Sequence, residues 1–154
     1  DILSTSSEGQ LRDLEYSNAD IGTLLKDISS KITVEEIITK KTESLFSICF
    51  ELPWICAVGT SNLDKIQSLS HSFSMAFQIV DDIQDREEDF KTNKKNINQN
   101  YALRYGLDIA IRDANNYLNK FKEQLIELCL YNAFFEELIQ NLSQILCKQN
   151  VIIN

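Results

Sequence analysis

The chain has 154 residues, 44% of them hydrophobic, with one proline and four glycines. That is too little turn chemistry for an all-β fold and enough apolar material for one sizeable helical core. Fifteen basic against 23 acidic residues leave a formal charge of −8, which argues against nucleic acid as the principal partner, since phosphate backbones are gripped by clustered Lys and Arg. An acidic protein can still hold a phosphorylated ligand through a divalent cation.

Cys49, Cys56, Cys129 and Cys147 fall on predicted helices and share no CxxC spacing. They read as small hydrophobes in a reducing cytoplasm, not as a disulfide framework or a zinc site. The opening Asp1-Ile2-Leu3-Ser4 has neither a basic nor an apolar leader region. The most apolar run, 46–58, is too short to span a bilayer and is interrupted by Glu51 and Pro53. At most a peripheral membrane contact is expected. The abrupt polar start without an initiator Met points to a fragment of a longer protein.

In chain order, the first signal is Glu8-Gly9-Gln10-Leu11-Arg12-Asp13-Leu14, where Gly9 ends a turn or lets another backbone approach closely. Residues 15–31 are polar and read as a short helix plus loop. Thr33-Val34-Glu35-Glu36 is a capping-box pattern, so a helix is expected from there to about residue 58. Ile37, Ile38, Leu45, Ile48, Leu52 and Ile55 make its expected apolar stripe, and Pro53 should bend it near Cys49. Lys41 sits in the middle of that stripe. Two readings stand: a stem that snorkels at the helix edge, or a cation aimed into an internal anion site.

Ser61-Asn62-Leu63-Asp64 opens the next helix. Its apolar residues Leu69, Phe73, Phe77, Val80 and Ile83 lie mostly opposite Gln78, Asp81, Asp82 and Asp85. At about 100° per residue, those four fall on roughly a quarter to a third of the circumference. The strip is either an ordinary solvated face or a cation site. Mg²⁺ suits the second reading, because it takes one or two carboxylates and completes its octahedron with water and phosphate oxygens. Ser70 and Ser74 are small enough for another helix to pack closely, and His71 reads as a surface or packing residue. Lys91, Lys94 and Lys95 follow in a short polar loop, and Gly106 separates that region from two final helices. The first repeats Ile111, Ala114, Leu118, Phe121, Leu125 and Leu128; the second repeats Phe135, Leu138, Leu142 and Ile145. Such seams serve antiparallel bundle packing or a subunit interface.

Three signals therefore stand in order: Gly9-Gln10-x-x-Asp13-Leu14, Lys41-Thr42, and Phe77-Gln78-x-x-Asp81-Asp82-x-x-Asp85. This order resembles the trans-isoprenyl diphosphate synthases, whose second aspartate-rich motif is similar to the last of the three. The separation from Lys41 to Phe77 is also similar. Asp89-Phe90-Lys91-Thr92-Asn93-Lys94-Lys95 resembles the family's Asp-Leu-x-x-Gly-Lys-x segment. Together the motifs cover 9–95. The two C-terminal helices fit the family only in being helical.

The resemblance implies an all-α bundle of the isoprenoid synthase type, of which residues 1–154 are the C-terminal part. It implies prenyl transfer from an allylic diphosphate to isopentenyl diphosphate. Asp81, Asp82 and Asp85 would hold Mg²⁺ against the allylic diphosphate, and Lys41 and Thr42 would contact the same group. Gln78 would lie along the reacting carbon, with Gln10 and Asp13 near the same pocket and Lys94 near the phosphates. The allylic C–O bond breaks, the double bond of isopentenyl diphosphate attacks the cation, and a proton passes to the released diphosphate. The family's first aspartate-rich motif precedes the Gly-Gln segment, so an N-terminal half or a partner subunit, in a homo- or heterodimer, is expected to supply it. The family often has Gly where Ser70 and Ser74 stand, and the loop after Asp85 is short. That short loop also resembles bacterial prenyltransferases that modify tryptophan in a peptide pheromone. A non-catalytic partner subunit is a further reading; a class I terpene cyclase fits less well, because of the Lys-Thr and Phe-Gln pairs.

Overall fold

A computed structural model describes residues 42–92 and 100–151. Among the described residues every regular element is helical: α1 (Ser44–Val58), α2 (Leu63–Thr92), α3 (Tyr101–Tyr105), α4 (Leu107–Glu127) and α5 (Ala133–Val151). The expected all-α fold is the one found. The readings at Gln10, Asp13, Lys41 and Lys94, and the capping box at Thr33, lie outside the described residues.

The chain reverses after α1 through Gly59 and Asn62, both in the left-handed region at φ of 81° and 54°. Gly and Asn are the residues that enter it at least cost. Trp54 Nε1 donates to the Ser61 carbonyl at 2.6 Å across this turn. α2 then runs for 30 residues through the middle of the fold. Ile66, Leu69, Ser70, Ser72, Phe73, Ser74, Met75, Ala76, Ile79, Val80 and Ile83 are all buried. No single face could bury that set, so the centre of α2 is covered nearly all round. Ser70 and Ser74 are fully buried, in keeping with their reading as small residues under close packing.

α2 packs chiefly against α4 and α1, and further along against α3. α4 presents Ile111, Ala114, Leu118, Phe121 and Leu125, all buried, in the steps of three and four that the sequence shows. Phe121 lies 5.0 Å from Phe73, 6.0 Å from Phe50 and 5.9 Å from Phe135, ring centre to ring centre. It thereby joins α1, α2, α4 and α5. Lys65 Nζ to Glu127 Oε1 (2.6 Å) and Gln124 Nε2 to Ser68 Oγ (2.8 Å) fix the register of α2 against α4. Leu142 and Leu146 of α5 close the core, with Phe135, Leu138 and Ile145 half-buried beside them.

Three details differ from the sequence reading. The packed face of α1 is Phe46 and Phe50, whereas Leu45, Leu52, Ile55 and Val58 are exposed. α1 is apolar round most of its circumference, so its pattern names no face. The cysteines are all exposed and free, and Cys129 stands in the turn between α4 and α5 at φ 58° instead of on a helix. α3, a single turn in a region read as loop, is the third difference; Gly106 at φ 95° both ends it and starts α4. His71 is half-exposed, 3.0 Å from Glu43 Oε2, with Tyr117 against its ring. No helix among the described residues is long and apolar enough to cross a membrane.

Candidate diphosphate and metal site

The site is assembled where α1 begins, where α2 passes its midpoint, and where α3 returns. Thr42 lies two residues before α1 and is 8% exposed. Its hydroxyl donates to Gln78 Oε1 at 2.7 Å, a contact between residues 36 apart in sequence. The Gln78 amide in turn donates to Asp82 Oδ1 at 3.0 Å, with a longer approach of 3.5 Å to Asp81 Oδ2. Asp82 Oδ2 accepts the backbone N–H of Tyr101 at 2.7 Å. A continuous polar chain therefore runs Thr42–Gln78–Asp82–Tyr101. It brings the Thr of the Lys-Thr pair onto the Gln and Asp of the aspartate-rich strip.

The strip divides by environment. Asp81 and Asp85, one turn apart on α2, are exposed, while Asp82 is 8% exposed and turned toward α3. Each oxygen of Asp82 is engaged within the protein. Among the described residues no three Asp, Glu, His or Cys side chains converge as a metal cage. The three carboxylates thus differ in exposure, two facing outward and one covered. The cause is register: Asp82 lies one turn beyond Gln78 on the flank of α2 that α3 covers. The exposed pair still suits Mg²⁺, whose octahedron needs only one or two carboxylates.

Burial pushes the Asp82 carboxyl up from 3.8 to about 7. The donated hydrogen bonds from Tyr101 and Gln78 oppose that rise, and the nearby Asp81 and Asp89 carboxylates add to it. Desolvation outweighs the two bonds.

Asn100 and Asp89 complete the surroundings. Asn100 is 2% exposed, and its amide donates to the Asp82 main-chain carbonyl at 2.7 Å and to Asp89 Oδ2 at 2.9 Å. Its oxygen caps α3 by accepting the Leu103 N–H at 3.0 Å. Sequence reasoning passed over Asn100. The available signal was an Asn directly before the short apolar run Tyr101-Ala102-Leu103, which is the composition of a helix N-cap. Beside the polar chain, Phe46, Phe73 and Phe77 form an edge-on aromatic cluster, with Phe46 4.8 Å from Phe73 and 5.3 Å from Phe77. Phe77 is the exposed member, at 38%.

Comparison with known proteins gives a consistent result. The sequence profile described as polyprenyl synthetase matches residues 1–104, a stretch that ends inside α3 and leaves α4 and α5 outside. A trans-prenyltransferase of a Kenyan isolate of African swine fever virus is 28% identical over 101 residues, covering 65% of this chain and 31% of the relative. Its counterpart from a South African isolate is 29% identical over 102 residues, covering 66% of this chain and 30% of the relative. The chain thus spans about a third of the length of the curated relatives it matches. No solved structure matches it.

Proposed function

Because the chain belongs to the polyprenyl synthetase family of trans-isoprenyl diphosphate synthases, we propose that it forms the leaving-group side of a prenyl transfer site. The substrates are an allylic prenyl diphosphate and isopentenyl diphosphate. Asp81 and Asp85 hold Mg²⁺, which when bound offsets the charge that builds on the departing diphosphate. Asp82 stands behind them as a support and not as an equal ligand. Thr42, with Lys41 and Lys94, addresses the diphosphate, and Gln10 and Asp13 line the same pocket.

Gln78 is held at both ends, by Thr42 on its oxygen and by Asp82 on its nitrogen. A fixed amide dipole of this kind costs no reorganisation when charge develops beside it, and its oxygen is the end that favours the allylic cation. The aromatic cluster of Phe46, Phe73 and Phe77 supplies an apolar wall that keeps water from that cation. The allylic C–O bond breaks to release diphosphate, a C–C bond forms from the double bond of the acceptor, and the lost proton passes to the released diphosphate.

The observation that carries this reading is the Thr42–Gln78 hydrogen bond. It joins two motifs far apart in sequence that the family uses on one substrate. The reading also assigns the family's first aspartate-rich motif to polypeptide beyond this chain, as an N-terminal half or as a partner in a homo- or heterodimer. The exposed apolar residues of α1 support that assignment. A cytoplasmic location accords with four free cysteines. The test is prenyl transfer by the complete protein with Mg²⁺, labelled isopentenyl diphosphate and a short allylic diphosphate. Lengthened allylic product that disappears on chelation is expected; transfer to a tryptophan peptide instead would select the pheromone-type enzyme. No transfer to either acceptor would leave a non-catalytic subunit.

A further inference from the structure

Asn100 does more than an N-cap requires. Capping α3 needs only an oxygen to accept the Leu103 N–H, and Ser, Thr or Asp would provide it. The amide nitrogen of Asn100 is spent in another direction, onto α2, where it bonds both the Asp82 main-chain carbonyl and the Asp89 carboxylate. The next residue extends the grip, since the Tyr101 N–H holds the Asp82 side chain. Asp82 is thus fixed at its main chain by Asn100 and at its carboxylate by Tyr101. The same end of α3 is also tied to α4, because the Tyr101 hydroxyl donates to Asp113 Oδ2 at 3.0 Å.

We propose that Asn100 is a positioning residue for the site: it docks α3 on α2 so that Asp82, and through it Gln78, is held in one orientation beside Asp81 and Asp85. This rests on the reading of the acidic strip as a cation and diphosphate site. Without the amide, α3 keeps its cap but loses the two bonds that set it down on α2 beside the Tyr101 contact. Tyr101 then no longer pins the carboxylate, and Gln78 is free to turn away from it.

Two variants separate clamp from cap. Asn100→Thr keeps an oxygen cap, is neutral, and removes both bonds to α2. Asn100→Asp also keeps the cap but sets oxygens against the Asp82 carbonyl and the Asp89 carboxylate; its added negative charge alone would tighten cation binding. The probe is Mn²⁺ with inorganic pyrophosphate, titrated against the full chain and followed by electron paramagnetic resonance. The Gln78 side-chain amide resonances are followed in parallel. Both variants should bind Mn²⁺ about tenfold more weakly, the range typical of lost outer-shell support at a metal site, with unchanged helical circular dichroism and shifted Gln78 signals. Should Asn100→Asp fail to fold, Asn100→Thr, which lacks the repulsion, carries the comparison. Parental affinity in the folded variants, together with a loss in Asp81→Asn, would overturn the positioning role alone. If the parent binds no better than Asp81→Asn, the strip is not a cation site, and both readings fall.

Discussion

Asp82 sits under two opposed forces. Its ionised form is the one that accepts from both Gln78 and Tyr101, yet burial favours the protonated form and lifts it to about 7. The consequence for stability follows from linkage. Folded Asp82 keeps its proton up to about pH 7, while the unfolded chain loses it near 3.8. The folded state therefore binds the extra proton in that window, and Asp82 makes stability fall as pH rises through it. Asp82→Asn removes this dependence. Relative to the parent, it should gain on the order of a few kcal/mol between pH 5 and pH 8, read from urea midpoints at the two pH values. A parallel pH response in parent and variant would show that Asp82 is not charged at a cost. At this scale the sequence was informative about identity and silent about orientation. It singled out Thr42, Gln78 and the aspartates, but register alone could not say that Asp82 faces α3, because α3 itself is one turn announced only by Asn100.

Among the elements, α4 was the most legible, since a helix with one apolar stripe leaves one way to bury it. Phe121 marks the outcome: fully buried, with rings from α1, α2 and α5 around it. Phe121→Ala should cost about 3–5 kcal/mol, a large share of a domain's net stability, as measured by equilibrium unfolding. A loss below about 1 kcal/mol would mean that the four helices do not share this core. α1 was the least legible, because a helix apolar on most sides has no preferred face until its neighbours are known. Its exposed Leu52 is correspondingly tolerant: Leu52→Gln should change the stability of this chain by no more than about 0.5 kcal/mol. If Leu52 meets other polypeptide in the complete protein, the same change should weaken that association, and sedimentation velocity would show it.

For the whole molecule, α1 and α2 are held together by a site and by a core at once. The aromatic cluster joins α1 to α2 and the Thr42–Gln78 bond joins the segment leading into α1 to α2, so packing fixes the distance over which the polar groups act. The complete protein, assayed for prenyl transfer with Mg²⁺, isopentenyl diphosphate and a short allylic diphosphate, gives the most direct test through Asp81→Asn. A carboxylate whose charge matters most as the diphosphate departs should lower kcat roughly a hundredfold or more, with a far smaller change in KM. Lys41→Ala, which on the proposed reading removes a cation that also grips the bound diphosphate, should raise KM as well as lower kcat. Unchanged turnover in Asp81→Asn would contradict the account, leaving the strip as a solvated helix face.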